Sequence, residues 1–473
     1  MNRSRGTLPG TGQSALQPND AAGNRLIGFS LKFWLLVVLT GIGAGIGAGL
    51  LMKLLRAVQH LCYSYHAGNF LDGVRHMPIQ RRLIVVFLAG IVASLGVWLL
   101  KRGSGGSGGK LNERIWFHSG LLSEGKTIAQ AVLSITIVGM GASLGRESAP
   151  KQTGAAIASW LSRAFSLSSA ESRLLAACGA GAGMGAVYNV PLGGSLFALE
   201  VLLGTLALPL IPPALATSFI ATAVSWLLLP NQATYNIATY PVTLTQIVWS
   251  IGFGPLAGLA SVLYVKLIVA ADGLKPKQGI AMILPVIVFA GLAALSIRYP
   301  QLLGNGKDAA QLAFTGSLAL PLLLALAALK PLATAACLGS GAPGGLFTPT
   351  ITFGAMLGGL LGHLWSLLWP GALPGSYAMI GAAAVLAASM QAPIAAIVLM
   401  LELSHHITTL MVPILFAVAG AAVIARRFDP RSIYSGRVHT GRQAAEAEPP
   451  GICPHYHHLL APEAETETIS VAA

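Results

Sequence analysis

The sequence predicts an all-α polytopic membrane protein made of two related halves, with helices that break inside the membrane. Three observations carry that prediction. The first is composition: of 473 residues, 54% are hydrophobic and only 10% charged, and the mean hydropathy is +0.70. Soluble globular chains carry roughly 25% charged residues. The second is interruption. The apolar runs are cut by Gly and Pro, and several are shorter than the roughly 20 helical residues that cross a bilayer core. Short, broken hydrophobic segments in matching positions are the mark of discontinuous transporter helices. The third is an internal echo. Residues 179–200 read GAGAGMGAVYNVPLGGSLFALE and residues 381–402 read GAAAVLAASMQAPIAAIVLMLE. Gly179 and Gly381, Pro191 and Pro393, and Glu200 and Glu402 share one offset of 202 residues.

Taken in order, residues 1–26 carry Arg3, Arg5 and Arg25 without an apolar core, so they read as a disordered cytoplasmic arm and not a signal peptide. The first span covers 31–55 and contains Gly41, Gly43, Gly45, Gly47 and Gly49, small residues that admit close helix packing. A loop with Arg75, Arg81 and Arg82 leads to a span at 83–100, ended by Lys101 and Arg102. The Gly-Ser run 103–109 is too polar and flexible for a helix, and by composition alone a surface linker fits it equally well. Apolar segments follow at about 127–144, 150–165, 173–203, 205–229, 244–270, 280–298, 309–338, 348–369, 375–389, 393–403 and 409–425. Trp34, Trp226, Trp249, Trp365 and Trp369 lie near segment ends and read as interfacial anchors.

Arg426, Arg427, Arg431 and Arg437 follow the last span. By the positive-inside rule both termini are expected in the cytoplasm. Residues 439–473 read as a disordered tail. Its Cys453, His455, His457 and His458 match no standard zinc spacing. Three regions are therefore expected: the arm, a transmembrane domain at 27–438, and the tail. Within the domain the repeats fall at about 83–229 and 244–425. The four cysteines have no paired spacing, and the net charge of +13 sits in short loops and termini. No disulfide framework, cofactor or nucleic-acid partner is expected.

The chemistry gathers at the breaks. Gly145-Arg146-Glu147-Ser148-Ala149-Pro150 separates two apolar segments, and Gly344-Gly345-Leu346-Phe347-Thr348-Pro349 occupies the matching place in the second half. An ionisable residue at membrane depth is a functional-site candidate by default. A helix that starts inside the membrane presents unpaired N–H groups and the positive end of its dipole. Two such ends aimed at one point make an anion site. Hydroxyls add donors, with Ser104, Ser107 and Tyr434 as candidates, although an interfacial anchor is the plainer reading of Tyr434. Glu147 is then a tethered anion beside an anion site. It can occupy and block the site, and protonation would release it.

These residues resemble the CLC family of chloride channels and chloride/proton exchangers, over roughly 100–436. Gly103–Gly109 is similar to the family's GSGIP segment, Gly145-Arg146-Glu147 to GREGP, Gly345–Pro349 to GxFxP, and Ile433-Tyr434-Ser435 to the tyrosine after the last helix. The resemblance implies two inverted-topology repeats and a homodimer in the plasma (bacterial inner) membrane with one anion path per subunit. It implies Glu147 as the gate, amides near Arg146 and Ser148 at an outer site, and amides of Leu346 and Phe347 at a central one. Tyr434 and a serine, Ser107 before Ser104, would supply hydroxyls. Two departures stand out. Pro150 is displaced from the GREGP position, so Ser148 and Lys151 are expected to alter the outer site. Val201 stands where the exchangers' proton-relay glutamate would fall. The resemblance therefore implies a passive chloride pathway gated by Glu147, with a chloride/proton antiporter as the alternative. Glu200 and Glu402 are expected to be structural. An intramembrane enzyme lacks a His within the motifs, and a cation-coupled transporter would have to use Glu200 and Glu402 in a cavity.

Overall fold

The apolar segments fold as helices in a computed structural model that describes residues 29–64, 68–102, 111–117, 119–237, 239–275, 280–405 and 407–438. The N-terminal arm at 1–26, Ser104, Ser107 and the tail with Cys453, His455, His457 and His458 lie outside the described residues. The first half runs α1 Leu31–Tyr63, α2 Phe70–His76, α3 Ile79–Arg102, α4 Leu111–Phe117, α5 Glu124–Gly139, α6 Ser148–Ala164, α7 Ser169–Tyr188, α8 Pro191–Leu196 and α9 Ile211–Ser225. A π-helical turn, Phe197–Leu203, extends α8. The second half runs α10 Leu244–Gly273, α11 Ile280–Arg298, α12 Lys307–Phe314, α13 Leu320–Gly339, α14 Phe347–Leu368, α15 Pro374–Met390, α16 Pro393–Ser404 and α17 Met411–Phe428. Among the described residues, seven helices are long and apolar enough to cross a membrane, and the chain is a multi-pass membrane protein.

The halves match element for element from α5–α9 to α13–α17. α6 packs on α7 as α14 packs on α15. Both pairs meet through glycines: a Cβ on Gly154 would collide with the Gly179 carbonyl, and one on Gly354 with the Gly381 carbonyl. The break after α7 recurs after α15. Asn189 and Gln391 both sit at φ 57. The next residues, Val190 and Ala392, are held off helical geometry by Pro191 and Pro393, which open the following helices.

Several segments divide where the pattern alone runs on. Residues 127–144 stop being helical at Gly139. Residues 309–338 split into α12 and α13 at Gly316, which takes φ 68. The predicted anchor Trp249 is a core residue. It is 5% exposed, stacks on Phe253 at 4.2 Å and meets Tyr377 edge-on. It lies in the first turns of α10, where sequence position does not tell a buried face from a lipid-facing one. Trp226 fits the anchor reading better, being 47% exposed with its indole N–H donated to Asn189 Oδ1.

Candidate functional site

The site begins with two helices that stop early. α5 ends at Gly139 and α13 at Gly339, and each chain then turns through a glycine in the left-handed region, Gly141 at φ 112 and Gly341 at φ 97. The two breaks then meet. The Gly145 N–H donates to the Gly345 carbonyl at 2.7 Å, and the Gly345 N–H donates back to Gly145 at 2.8 Å. Matching residues that exchange identical contacts lie on a two-fold axis, so the pseudo-symmetry axis passes through the break. A Cβ on either would overlap the Glu147 carboxylate, so the carboxylate takes this seat only where both positions lack a side chain.

Glu147 immediately precedes α6 and is fully buried. Its Oε1 accepts from the Phe347 N–H, the first amide of α14, at 2.7 Å. Its Oε2 accepts from the hydroxyls of Tyr188 and Thr348, each at 3.3 Å. Those hydroxyls are 2.6 Å apart. A carboxylate from one repeat thus sits on the N-terminus of a helix from the other, where partial positive charge and free N–H groups stabilise an anion. Glu147 was legible in the sequence; Tyr188 and Thr348 were not singled out. The signals were present, since Thr348 lies within the second break and Tyr188 is the hydroxyl just before the Asn189 turn.

Two cavities approach this carboxylate, and Glu147 lines neither. One, of about 640 Å³, is lined by Ser148, Lys151, Gly344, Gly345, Leu346 and Tyr434 among others. The second, of about 520 Å³, is lined by Arg56, Arg146, Tyr188, Lys307 and Asp308 among others. Arg146 and Ser148 therefore face different cavities, and Glu147 lies between them. Arg146 sets its guanidinium 4.9 Å over the Tyr188 ring, and its buried Nε has no hydrogen-bond partner among the described residues. The Ser148 hydroxyl accepts from Gln152 Nε2 at 3.2 Å. Lys151 lines the Tyr434-side cavity with Ser148, away from Arg146.

Tyr434 is 8% exposed, and its hydroxyl has no protein partner among the described residues. Its ring meets Phe197 edge-on at 5.8 Å. The segment that carries it is held firmly. The Ile433 N–H donates to the Ser389 carbonyl at 2.9 Å, and Arg431 grips both oxygens of Asp429 at 2.9 and 2.8 Å. The Arg431 hydrogen bonds hold the Asp429 carboxyl below its usual range.

Three further charges, Glu402, Glu200 and Lys330, are each engaged by backbone groups. Glu402 accepts from the Leu192 and Gly193 amides at the start of α8, at 3.0 and 2.6 Å. Glu200 accepts from Ile394 and Ala395 at the start of α16, at 3.3 and 2.5 Å. Each repeat thus caps a helix of the other. Both carboxylates are committed to helix ends, as a cation site would not require. Val201, next to Glu200, is buried. Lys330 was missed by the sequence reading. Buried in α13, it donates to the Ser143 hydroxyl and to the Leu302 and Gly304 carbonyls at 2.9, 3.0 and 2.9 Å. It thereby ties the first break to the loop before α12.

Known proteins resemble this arrangement along most of the chain. The sequence pattern of the voltage gated chloride channel family matches residues 89–426. A Ralstonia nicotianae protein named as ClcB-like is 32% identical over 398 residues, which is 80% of this chain and 90% of that one. The voltage-gated ClC-type chloride channel ClcB of Salmonella dublin is 29% identical over 422 residues, covering 85% of this chain and 97% of that protein. Among solved structures, a slow cyanobacterial Cl⁻/H⁺ antiporter aligns with a TM-score of 0.76 at 21% identity, covering 86% of this chain and 97% of that one. A CLC-type fluoride/proton antiporter aligns at 0.68 with 20% identity, covering 86% and 98%. With its mutually paired breaks, its buried glutamate and the family pattern across most of its length, this chain belongs to the voltage-gated chloride channel family, the CLC proteins.

Proposed function

We propose that the protein moves chloride passively across the bacterial inner membrane, through a path that Glu147 opens and closes. Anion transport, not catalysis, is the business of its family. The observation that carries the proposal is the Glu147 carboxylate on the Phe347 amide, between two cavities that it does not line. A negative group held by helix-end donors marks the place where a free anion fits when the side chain leaves. The amides of Leu346 and Phe347 and the Tyr434 hydroxyl then receive the ion, and amides at Arg146 and Ser148 guide it past the break. A serine from the 103–109 run completes the set, Ser107 before Ser104. The domain spans 27–438 with repeats at about 83–229 and 244–425, and it functions as a homodimer with both termini cytoplasmic.

The passive reading rests on Val201, an apolar side chain that cannot carry a proton. A second reading, chloride/proton antiport, is supported by solved relatives described as antiporters and by the Tyr188–Thr348 hydroxyl pair touching Glu147. Proteoliposomes separate the two. An imposed chloride gradient should collapse, with a chloride electrode registering the efflux and a pH electrode registering no uphill proton movement. Uphill proton movement would establish the antiporter instead. Flux that follows sodium and ignores chloride would remove both readings.

A further inference from the structure

The Tyr434-side cavity contains a full positive charge that helix-end chemistry does not require. Lys151 lies in the first turns of α6 and is 7% exposed. Its ammonium sits 4.8 Å from the centre of the Phe197 ring and 5.0 Å from that of Tyr434. It forms no hydrogen bond or ion pair among the described residues. Glu147, four positions earlier, has its oxygens engaged by Phe347, Tyr188 and Thr348. A cation–ring contact is weaker than a hydrogen bond to a charged partner. Burial strips an ammonium of hydration that ring contacts replace only in part, and the Glu147 carboxylate acts on it from a distance without forming an ion pair with it. The Tyr434 hydroxyl beside it is also buried and unpartnered. Two adjacent donors facing one cavity call for an acceptor. The cavity wall supplies none with charge: among the described residues lining it are Lys101, Lys126, Lys151, Lys275 and Arg437, and no Asp or Glu.

We infer that Lys151 is a fixed-charge anion ligand, holding a small monovalent anion between its ammonium and the Tyr434 hydroxyl at the cavity end of the path. The inference rests on the anion-transport reading and deepens it. A full charge binds more strongly than a helix end, and strong binding opposes release. The Phe197 and Tyr434 rings disperse part of that charge and so temper the hold.

The test is chloride titration by calorimetry on the purified full-length protein, comparing wild type with Lys151→Met, Lys151→Gln and Lys151→Arg. Both neutral variants should bind chloride about 30-fold more weakly or worse, since losing one partner of a buried charged pair costs that much. Lys151→Arg should keep most of the affinity. Gln decides the matter if Met does not yield a monodisperse protein. Wild-type affinity in a folded neutral variant overturns the assignment. So does an equal loss in Arg and Met, which would indicate packing rather than charge. A wild-type protein that moves no anion in liposomes brings down the transport reading and this inference together. Chloride transport by wild type with unchanged binding in the neutral variants brings down the Lys151 assignment alone.

Discussion

In the proposed function Glu147 would compete with the ion that it admits. Its carboxylate takes the Phe347 amide and two hydroxyls, the donors that a halide would use in its absence. Glu147→Ala should therefore leave chloride flux intact and abolish its dependence on pH. Flux in liposomes at stepped pH checks this, and a folded variant with no flux would contradict the gate role. The residue type and the charged break made Glu147 readable from the chain. Its partners were not readable in the same way. Tyr188 lies 41 positions away and Thr348 lies 201 away, and nothing local says that α7 brings a hydroxyl to the same point as α14. Lys151 runs the other way. Its place in the break suggested the Arg146 side, but its position in the first turns of α6 carries it to the cavity with Tyr434.

At the scale of elements, the stability of the breaks depends on charge placed at helix ends. Glu200 and Glu402 each hold two amides of a helix in the opposite repeat. α8 and α16 both begin with proline, whose missing N–H leaves the next amides as the donors to satisfy. Replacing either carboxylate by Gln removes the charge and turns one acceptor into a donor facing an N–H. Glu200→Gln and Glu402→Gln should each cost about 1.5–3 kcal/mol, the contribution of hydrogen bonds to charged groups. The two losses should be similar because the environments are related by the repeat. Thermal unfolding in detergent measures both, and a loss in only one variant would show that the caps are not equivalent. The sequence led to the expectation that these glutamates are structural, closing helices at an interface or loop. The reciprocal pairing across repeats was not expected, because an offset in sequence does not reveal which helix end faces which side chain.

For the whole molecule, two inverted halves meet at Gly145 and Gly345, and the cavities lie on either side of that contact. Basic residues are unevenly placed. Lys101, Lys126, Lys275 and Arg437 surround the Tyr434-side cavity, close to the end of α17 with Arg426 and Arg427. We propose that this cavity faces the cytoplasm, where the positive-inside rule would place the more basic flank. In a cysteine-free background, Arg5→Cys and Arg427→Cys should react with a membrane-impermeant maleimide only after the cells are opened. Labelling of either in intact cells would reverse the orientation.

The class was readable from the chain: hydropathy requires helices in lipid, and matched Gly-Pro interruptions require those helices to break at related places. So was the central residue, because a carboxylate between two broken helices has few other uses. What surrounds it came from the packing of the helices. Distances between helices depend on packing of small residues that repeat throughout the chain. The same Gly-rich composition that permits close approach therefore does not specify which pairs approach. Thus the Gly145–Gly345 pairing, the two hydroxyls on Glu147, the crossed glutamate caps and the placement of Lys151 beside Tyr434 emerge when the two repeats close on their shared axis.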